Sequence, residues 1–228
     1  MEPASTVLAT SGGTARSGSS PTPETIGILG AGRVGTALAR QALKAGYAVK
    51  IATAKPPEEI ALIAQFTAPG AKAVTAEEAA QSDIVVLAMP LFRHTQVPPA
   101  HLSGRVVVDV MNYWAPTDGH IPDFEGEASS SEVVQRHLND ARLVRTLNHI
   151  GYHDLEDQAF PAGHPDRQAA ALASDDADAK AKVAEFIDRL GYDPVDAGPL
   201  TAARKFGAGT PVFGNRLKRD ELKAILAA

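Results

Sequence analysis

A chain of 228 residues with 44% hydrophobic and 21% charged residues is composed like a globular protein of one large domain, or one plus a small partner, and is too apolar to be disordered throughout. Its net charge of −5 comes without a long Lys/Arg run, so no nucleic-acid partner is expected, and no apolar stretch approaches the ~18 residues of a membrane-spanning helix. The absence of cysteine removes disulfide, thiol-nucleophile, iron–sulfur and cysteine–zinc chemistry together, and agrees with a cytoplasmic location.

Residues 1–24 read as a disordered tail. Fifteen of the first 23 residues are Ser, Thr, Gly or Pro, which cannot bury enough apolar surface to offset the entropy of ordering. The tract also lacks the charged start and apolar run of a secretory signal.

From Thr25 the pattern changes. Thr25–Leu29 is a short apolar run that reads as a strand, and Gly30-Ala31-Gly32-Arg33-Val34-Gly35 follows as a glycine-rich turn. Val34, Leu38, Gln41/Ala42 and Ala45 then recur at helical spacing until Gly46, and Tyr47–Ala52 is the next strand. This strand–turn–helix–strand order gives the glycine motif its meaning. Gly30 permits the tight turn, Gly32 lets the backbone approach a pyrophosphate, and Gly35 lets the helix pack on the strand. The helix N-terminus would then offer free N–H groups and a positive partial charge to the phosphates.

The end of the second strand selects the cofactor. An NAD site usually carries an acid about 20 residues into the unit for the ribose 2′-OH. Here the stretch reads Thr53-Ala54-Lys55-Pro56-Pro57, with no acid before Glu58. Thr53 as a hydroxyl donor and Lys55 as a cation suit the 2′-phosphate of NADP.

Glu58–Phe66 reads as a helix with Ile60, Ile63 and Phe66 at core-facing steps, and Thr75 with Glu78 opens a short helix. Asp83–Met89 and Arg105–Val110 are near-continuous β-branched runs, as expected of parallel strands buried on both faces. Met89, Pro90 and Asn112, just beyond their carboxyl ends, are expected to face the cofactor. Pro90 is equally readable as a strand stop, and Asn112 as a turn residue.

Ser131–Leu138 reads as a helix, Arg142–Thr146 as a sixth strand, Gln168–Ala173 as another strand, and Ala177–Leu190 as a helix served at its N-terminus by Asp175 and Asp176. Tyr192–Asp196 leads into Gly198-Pro199-Leu200. The fold class is α/β: a Rossmann-like, doubly wound parallel sheet over residues 25–147, with a small C-terminal α/β domain over 148–228 roofing the cleft. His149-x-x-x-His153 has metal-pair spacing, but Gly151 and the preceding strand argue against the shared helix face that a pair needs, so no metal is assigned. No GxSxG is present for acyl transfer. His149 is either a substrate-orienting group at a strand end or a packed loop histidine.

Four runs together carry a resemblance: TIGILGAGRVG at 25–35, DIVVLAMP at 83–90, VVVDVMN at 106–112 and DPVDAGPL at 193–200, the last followed by Arg204. In this order and spacing the chain resembles the NADP-dependent oxidoreductases that use the deazaflavin coenzyme F420, across residues 25–206. The resemblance implies a Rossmann domain that binds NADP and a small C-terminal domain that closes over the deazaflavin. It puts Gly30, Ala31, Gly32, Arg33, Val34 and Gly35 under the pyrophosphate, and Thr53 and Lys55 at the 2′-phosphate, with Lys in place of the family's usual Arg. It puts Met89, Pro90 and Asn112 at the nicotinamide, and Asn148, His149, Ile150, Gly198, Pro199 and Leu200 around the deazaflavin. The expected function is hydride transfer between NADP(H) and F420, with small-molecule cofactors as the partners. The alternatives are an NADPH-dependent reductase of flavin, of ferric ion through flavin or of a small imine, and a non-catalytic NADP-sensing module. A homodimer is compatible with this size.

Overall fold

The computed structural model describes residues 23–126 and 128–228; the tail expected over 1–24 therefore lies almost wholly outside the described residues. In chain order the elements are β1 (Thr25–Leu29), α1 (Arg33–Lys44), β2 (Ala48–Ala52), α2 (Pro57–Thr67), β3 (Lys72–Ala73), α3 (Ala76–Ala80) and β4 (Ile84–Leu87). There follow α4 (Pro99–Leu102), β5 (Val106–Asp109), α5 (Ala115–Asp118), α6 (Ser130–His137), β6 (Arg142–Thr146) and α7 (Asp154–Asp157). The chain closes with β7 (Ala169–Ala173), α8 (Ala177–Leu190), β8 (Asp193–Gly198) and α9 (Arg219–Ala227).

The eight strands form one sheet in the order β3-β2-β1-β4-β5-β6-β7-β8. The first six are parallel and follow the dinucleotide-binding order, which reverses direction between β1 and β4. Successive side chains of the central strands alternate between two apolar layers, as the period of two requires. Val86, Val108 and Val144 pack with Leu38 of α1 and Phe186 of α8, while Val85, Val107 and Leu143 pack with Ala79 of α3 and Val134 of α6. Both faces are covered, which explains the unbroken β-branched runs. Among the described residues no helix is long and apolar enough to cross a membrane.

Past the boundary expected near residue 147 the chain does not start a second layer. β7 pairs antiparallel with β6 through Arg145–Ala173 and Thr146–Leu172, and β8 pairs parallel with β7. The roof expected from 148–228 is thus a sideways extension of the same sheet. The edge of β6 would otherwise leave backbone donors and acceptors unpaired, and β7 uses them. The turn passes through Leu147 with φ 58°, an unusual left-handed conformation for a buried leucine. A third apolar cluster, in which Phe206, Val212, Leu222 and Leu226 cover Ala169, Ala171 and Val195, holds the C-terminal segment against β7 and β8.

Helix α2 departs from expectation. Ile60 and Ala64 are buried, but Ile63 and Phe66 are exposed, because the sheet beside α2 ends in a two-residue strand too short to cover a wider stripe. Of the two acids expected to serve the start of α8, Asp176 does so: its Oδ1 accepts the Ala179 N–H at 2.8 Å while its carboxylate pairs with Arg142 of β6, whereas Asp175 Oδ1 accepts the Leu200 N–H instead.

One buried ion pair ties the layers. Arg145 of β6 lies 3.0 Å from Asp109 at the end of β5, with both side chains all but inaccessible. Asp109 also accepts the Ser131 hydroxyl of α6 at 2.7 Å and the Met111 N–H at 2.9 Å. Removing one partner leaves a bare buried charge, so Asp109→Asn should lower the unfolding free energy by about 3–5 kcal/mol. Chemical denaturation near neutral pH reads this directly, and a loss below about 1 kcal/mol, the range of an exposed pair, would show that the pair is not a keystone.

Candidate functional site

The chain leaves β1 through a turn that only glycine can make. Gly30 has φ 125°, and a Cβ there would lie 2.3 Å from the Ala88 carbonyl oxygen just beyond β4. A Cβ on Gly35 would lie 1.9 Å from the Gly30 carbonyl oxygen, so the first turn of α1 presses directly on the loop. Gly32 is the opposite case: nothing lies within 4 Å of a Cβ built on it. It is the N-cap of α1, with no side-chain cap and no acid in the first turn. The unpaired N–H groups and positive end of a twelve-residue helix therefore face open space across a bare glycine, a cradle suited to phosphate.

This cradle opens into a cleft of about 460 Å³ at the point where the strand order reverses, bounded by Gly30, Ala31, Gly32, Thr53, Lys55, Met89 and Pro90. Seven of the expected cofactor residues thus meet in one place. Three do not reach it with their side chains. The guanidinium of Arg33 donates to the Tyr152 hydroxyl at 2.9 Å, Val34 packs on the core and Gly35 holds the helix close. Their part is confined to backbone and spacing.

Beyond β2, Thr53 Oγ1 accepts the Lys55 N–H at 3.0 Å, closing the turn on itself. The Lys55 ammonium is well exposed and stands 3.7 Å from the Glu59 carboxylate, one helical turn on, so its charge is partly offset. The cleft holds a second cation that the sequence reading missed. Arg93, in a 3₁₀ turn over Leu91–Gln96, borders the same space. Among the described residues its guanidinium meets only the neighbouring Phe92 ring, 5.6 Å away, and no carboxylate. The available signal was its position a few residues past the carboxyl end of β4, where ligands of such sheets bind.

The residues expected around the second ring system behave differently. Asn112 Nδ2 donates to the Asn148 carbonyl at 2.7 Å, and Asn148 Nδ2 donates to the Phe206 carbonyl at 3.0 Å. Asn112 borders a second, smaller cavity of about 180 Å³, whereas the Asn148 side chain is buried in this bridge. His149 is also buried: its Nε2 accepts the Ala171 N–H at 3.2 Å, so the neutral ring carries its proton on Nδ1, and its edge meets Phe206 at 5.5 Å. It is the packed histidine, not a substrate-facing one, because β7 returns antiparallel beside it. Ile150 packs against the core, Leu200 is buried, and Gly198 and Pro199 border neither cavity. His153 lies against Tyr152, with ring centres 3.9 Å apart, and among the described residues no three potential ligands gather for a metal.

Burial, aided by the nearby Arg145 charge, pulls the His149 pKa down from 6.5 to about 3. A histidine held neutral in the folded state takes up a proton only on unfolding, so its contribution is whole above pH 6.5 and is lost as pH falls toward 3. Thermal unfolding between these limits should show wild type losing up to about 1.4 kcal/mol per pH unit from this group, with a shallower slope in His149→Gln. Equal slopes would show that the ring is reached by solvent.

Residues 25–113 match the family model described as NADP oxidoreductase coenzyme F420-dependent. Among solved structures, the hypothetical protein SMa0349 of Sinorhizobium meliloti is 28% identical with a TM-score of 0.75, over 87% of this chain and 96% of that one. A proposed F420-dependent NADP reductase from Arthrobacter sp. FB24 is 27% identical with a TM-score of 0.67, over 80% and 87% of the two chains. Among curated proteins, Metalloreductase STEAP3 of Rattus norvegicus is 27% identical over 188 residues, 80% of this chain. The match covers 36% of that relative, so the chain spans about a third of its length.

Proposed function

We propose, from the match of residues 25–113 to the coenzyme F420-dependent NADP oxidoreductase family model, that the protein transfers hydride between NADP(H) and the deazaflavin coenzyme F420. The observation that carries the cofactor half is the uncapped, glycine-fronted start of α1 opening into the same cleft as Lys55 and Arg93. The residues fit a dinucleotide that bears an extra phosphate. Backbone N–H groups of the first turn of α1 would take the pyrophosphate, and Lys55 and Arg93, which border the same cleft, would take the 2′-phosphate. Arg93 offers a planar fork that can bond two phosphate oxygens at once, and among the described residues no carboxylate pairs with it, so on this reading it supplies the greater share of the preference for NADP.

The bound pair of cofactors supplies the redox chemistry, a hydride passing between nicotinamide C4 and deazaflavin C5. What the protein contributes is position: Met89 and Pro90 close the cleft where the strands end, and Asn112 lies one strand further along. No side chain is required to move a proton on the hydride path. That agrees with His149, the one buried imidazole at the expected acceptor side, being engaged by Ala171.

Reduction of ferric ion through a flavin is the second reading, favoured by the likeness to a metalloreductase over most of this chain. Anaerobic NADPH oxidation, with F420 and FMN in separate cuvettes, separates the two. Turnover with F420 that fails with NADH is expected; turnover with FMN alone would move the assignment to flavin reduction. Gly32→Ala should leave thermal stability unchanged, since its Cβ would meet nothing, yet weaken NADPH binding about tenfold or more by blocking backbone approach. Arg93→Ala should raise the KM for NADPH about tenfold with kcat little changed, and leave the KM for NADH alone. Equal losses for both nucleotides would remove Arg93 from the 2′-phosphate.

A further inference from the structure

The second cavity has a chemistry of its own. It lies beyond the carboxyl end of β5, two strands along the sheet from β1, and is bordered by Asn112, Tyr113, Ser130, Arg145, Arg204 and Gly207. Among the described residues no carboxylate borders it, while two guanidinium groups do. Their situations differ. Arg145 is neutralised from behind by Asp109 and is further held by the Met111 carbonyl and by Asn112 Oδ1 at 2.9 Å. Arg204 makes no hydrogen bond or ion pair among the described residues, although most of the described arginines are ion-paired.

Arg204 is not free for want of order around it. It sits in a 3₁₀ segment, Leu200–Phe206, whose Leu200, Ala203 and Phe206 side chains are buried. The segment is pinned at both ends: the Leu200 N–H donates to Asp175 Oδ1 at 3.0 Å, and the Phe206 carbonyl accepts from Asn148 Nδ2 at 3.0 Å. The fold thus holds an uncompensated guanidinium at the mouth of a polar cavity whose inner wall is a second, buried guanidinium. The Ser130 hydroxyl at its rim makes no hydrogen bond among the described residues and is a ready donor. A donor-rich, carboxylate-free cavity of this size takes a tetrahedral or planar oxyanion.

We infer that this cavity is an anion site for the hydride acceptor, so that the acceptor carries a phosphate on its side chain and Arg204 binds it. The inference rests on the hydride-transfer reading above, which gives the phosphates of NADP to α1, Lys55 and Arg93 and leaves this cavity to the second substrate. It separates acceptors by chemistry: a phosphorylated flavin or deazaflavin fits, whereas an uncharged imine or a dephosphorylated ring system leaves Arg204 without a partner.

Equilibrium binding reads this without requiring turnover. Wild-type protein in the presence of NADP+ is titrated into FMN, riboflavin, F420 and the phosphate-free riboside of F420, following chromophore fluorescence. The phosphate-bearing member of a pair should bind about tenfold tighter or more, and inorganic phosphate should compete with it but not with its phosphate-free counterpart. Arg204→Gln should abolish the difference, Arg204→Lys should restore part of it, and neither should alter NADPH affinity. Equal affinity within each pair, a preference that survives Arg204→Gln, or no binding of any of the four overturns the inference. The hydride-transfer reading fails on different data: a phosphate preference that depends on Arg204, together with no NADPH oxidation by any acceptor, would keep the anion site and overturn the reaction.

Discussion

The buried guanidinium of Arg145 is the group on which both halves of the molecule depend. A charge in that position is tolerated only because Asp109 stands 3.0 Å away, and because the Met111 carbonyl and Asn112 Oδ1 accept from it as well. Asp109 in turn binds the Ser131 hydroxyl, and Asn112 passes the network to Asn148, which reaches Phe206. Five segments far apart in the sequence are thereby held in one register: the ends of β5 and β6, the start of α6, the loop after β6 and the segment after β8. Such a network is strong only when complete, since each member left unpaired in the interior costs more than a typical bond contributes. Its position beyond the carboxyl ends of β5 and β6 fixes Asn112 and Arg145, which border the second cavity.

The first cavity works mainly through backbone. Gly30 and Gly35 are needed for close approach of chain to chain, whereas Gly32 fronts open space, which the proposed reading gives to the pyrophosphate. That division explains why the side chains of Arg33 and Val34 can turn to Tyr152 and to the core without loss to the cradle. Charge enters from outside the motif, from Lys55 after β2 and Arg93 after β4, and the two are unequal because Glu59 shares Lys55. The second cavity is the reverse, with side-chain cations in a polar setting and no glycine cradle.

Much of the fold was legible because its signals are local. The β-branched runs at Val85–Leu87 and Val106–Val108, the glycine spacing at Gly30, Gly32 and Gly35, and the cap residues Thr75 and Asp176 each act within a few positions of themselves. Helix α2 shows the limit of that reasoning. Ile63 and Phe66 have the right period to be buried, but the two-residue β3 gives them no sheet to cover. Arg93 was illegible for a related reason: a lone cation after a strand reads as solvated surface until its neighbours are known.

By itself, then, the sequence determined a parallel α/β sheet, a glycine turn built for a dinucleotide and a cation where NAD-binding chains carry an acid, since all three follow from backbone sterics and short-range pattern. Tertiary structure alone decided which way the polar side chains of the second half face. His149 is spent on Ala171, 22 positions on, and Asn148 on Phe206, 58 positions on. Both choices were made when β7 returned antiparallel to β6 instead of rising as a separate roof. No local pattern encodes that choice, because the partners that satisfy a buried polar group are supplied by whichever distant segment packs against it.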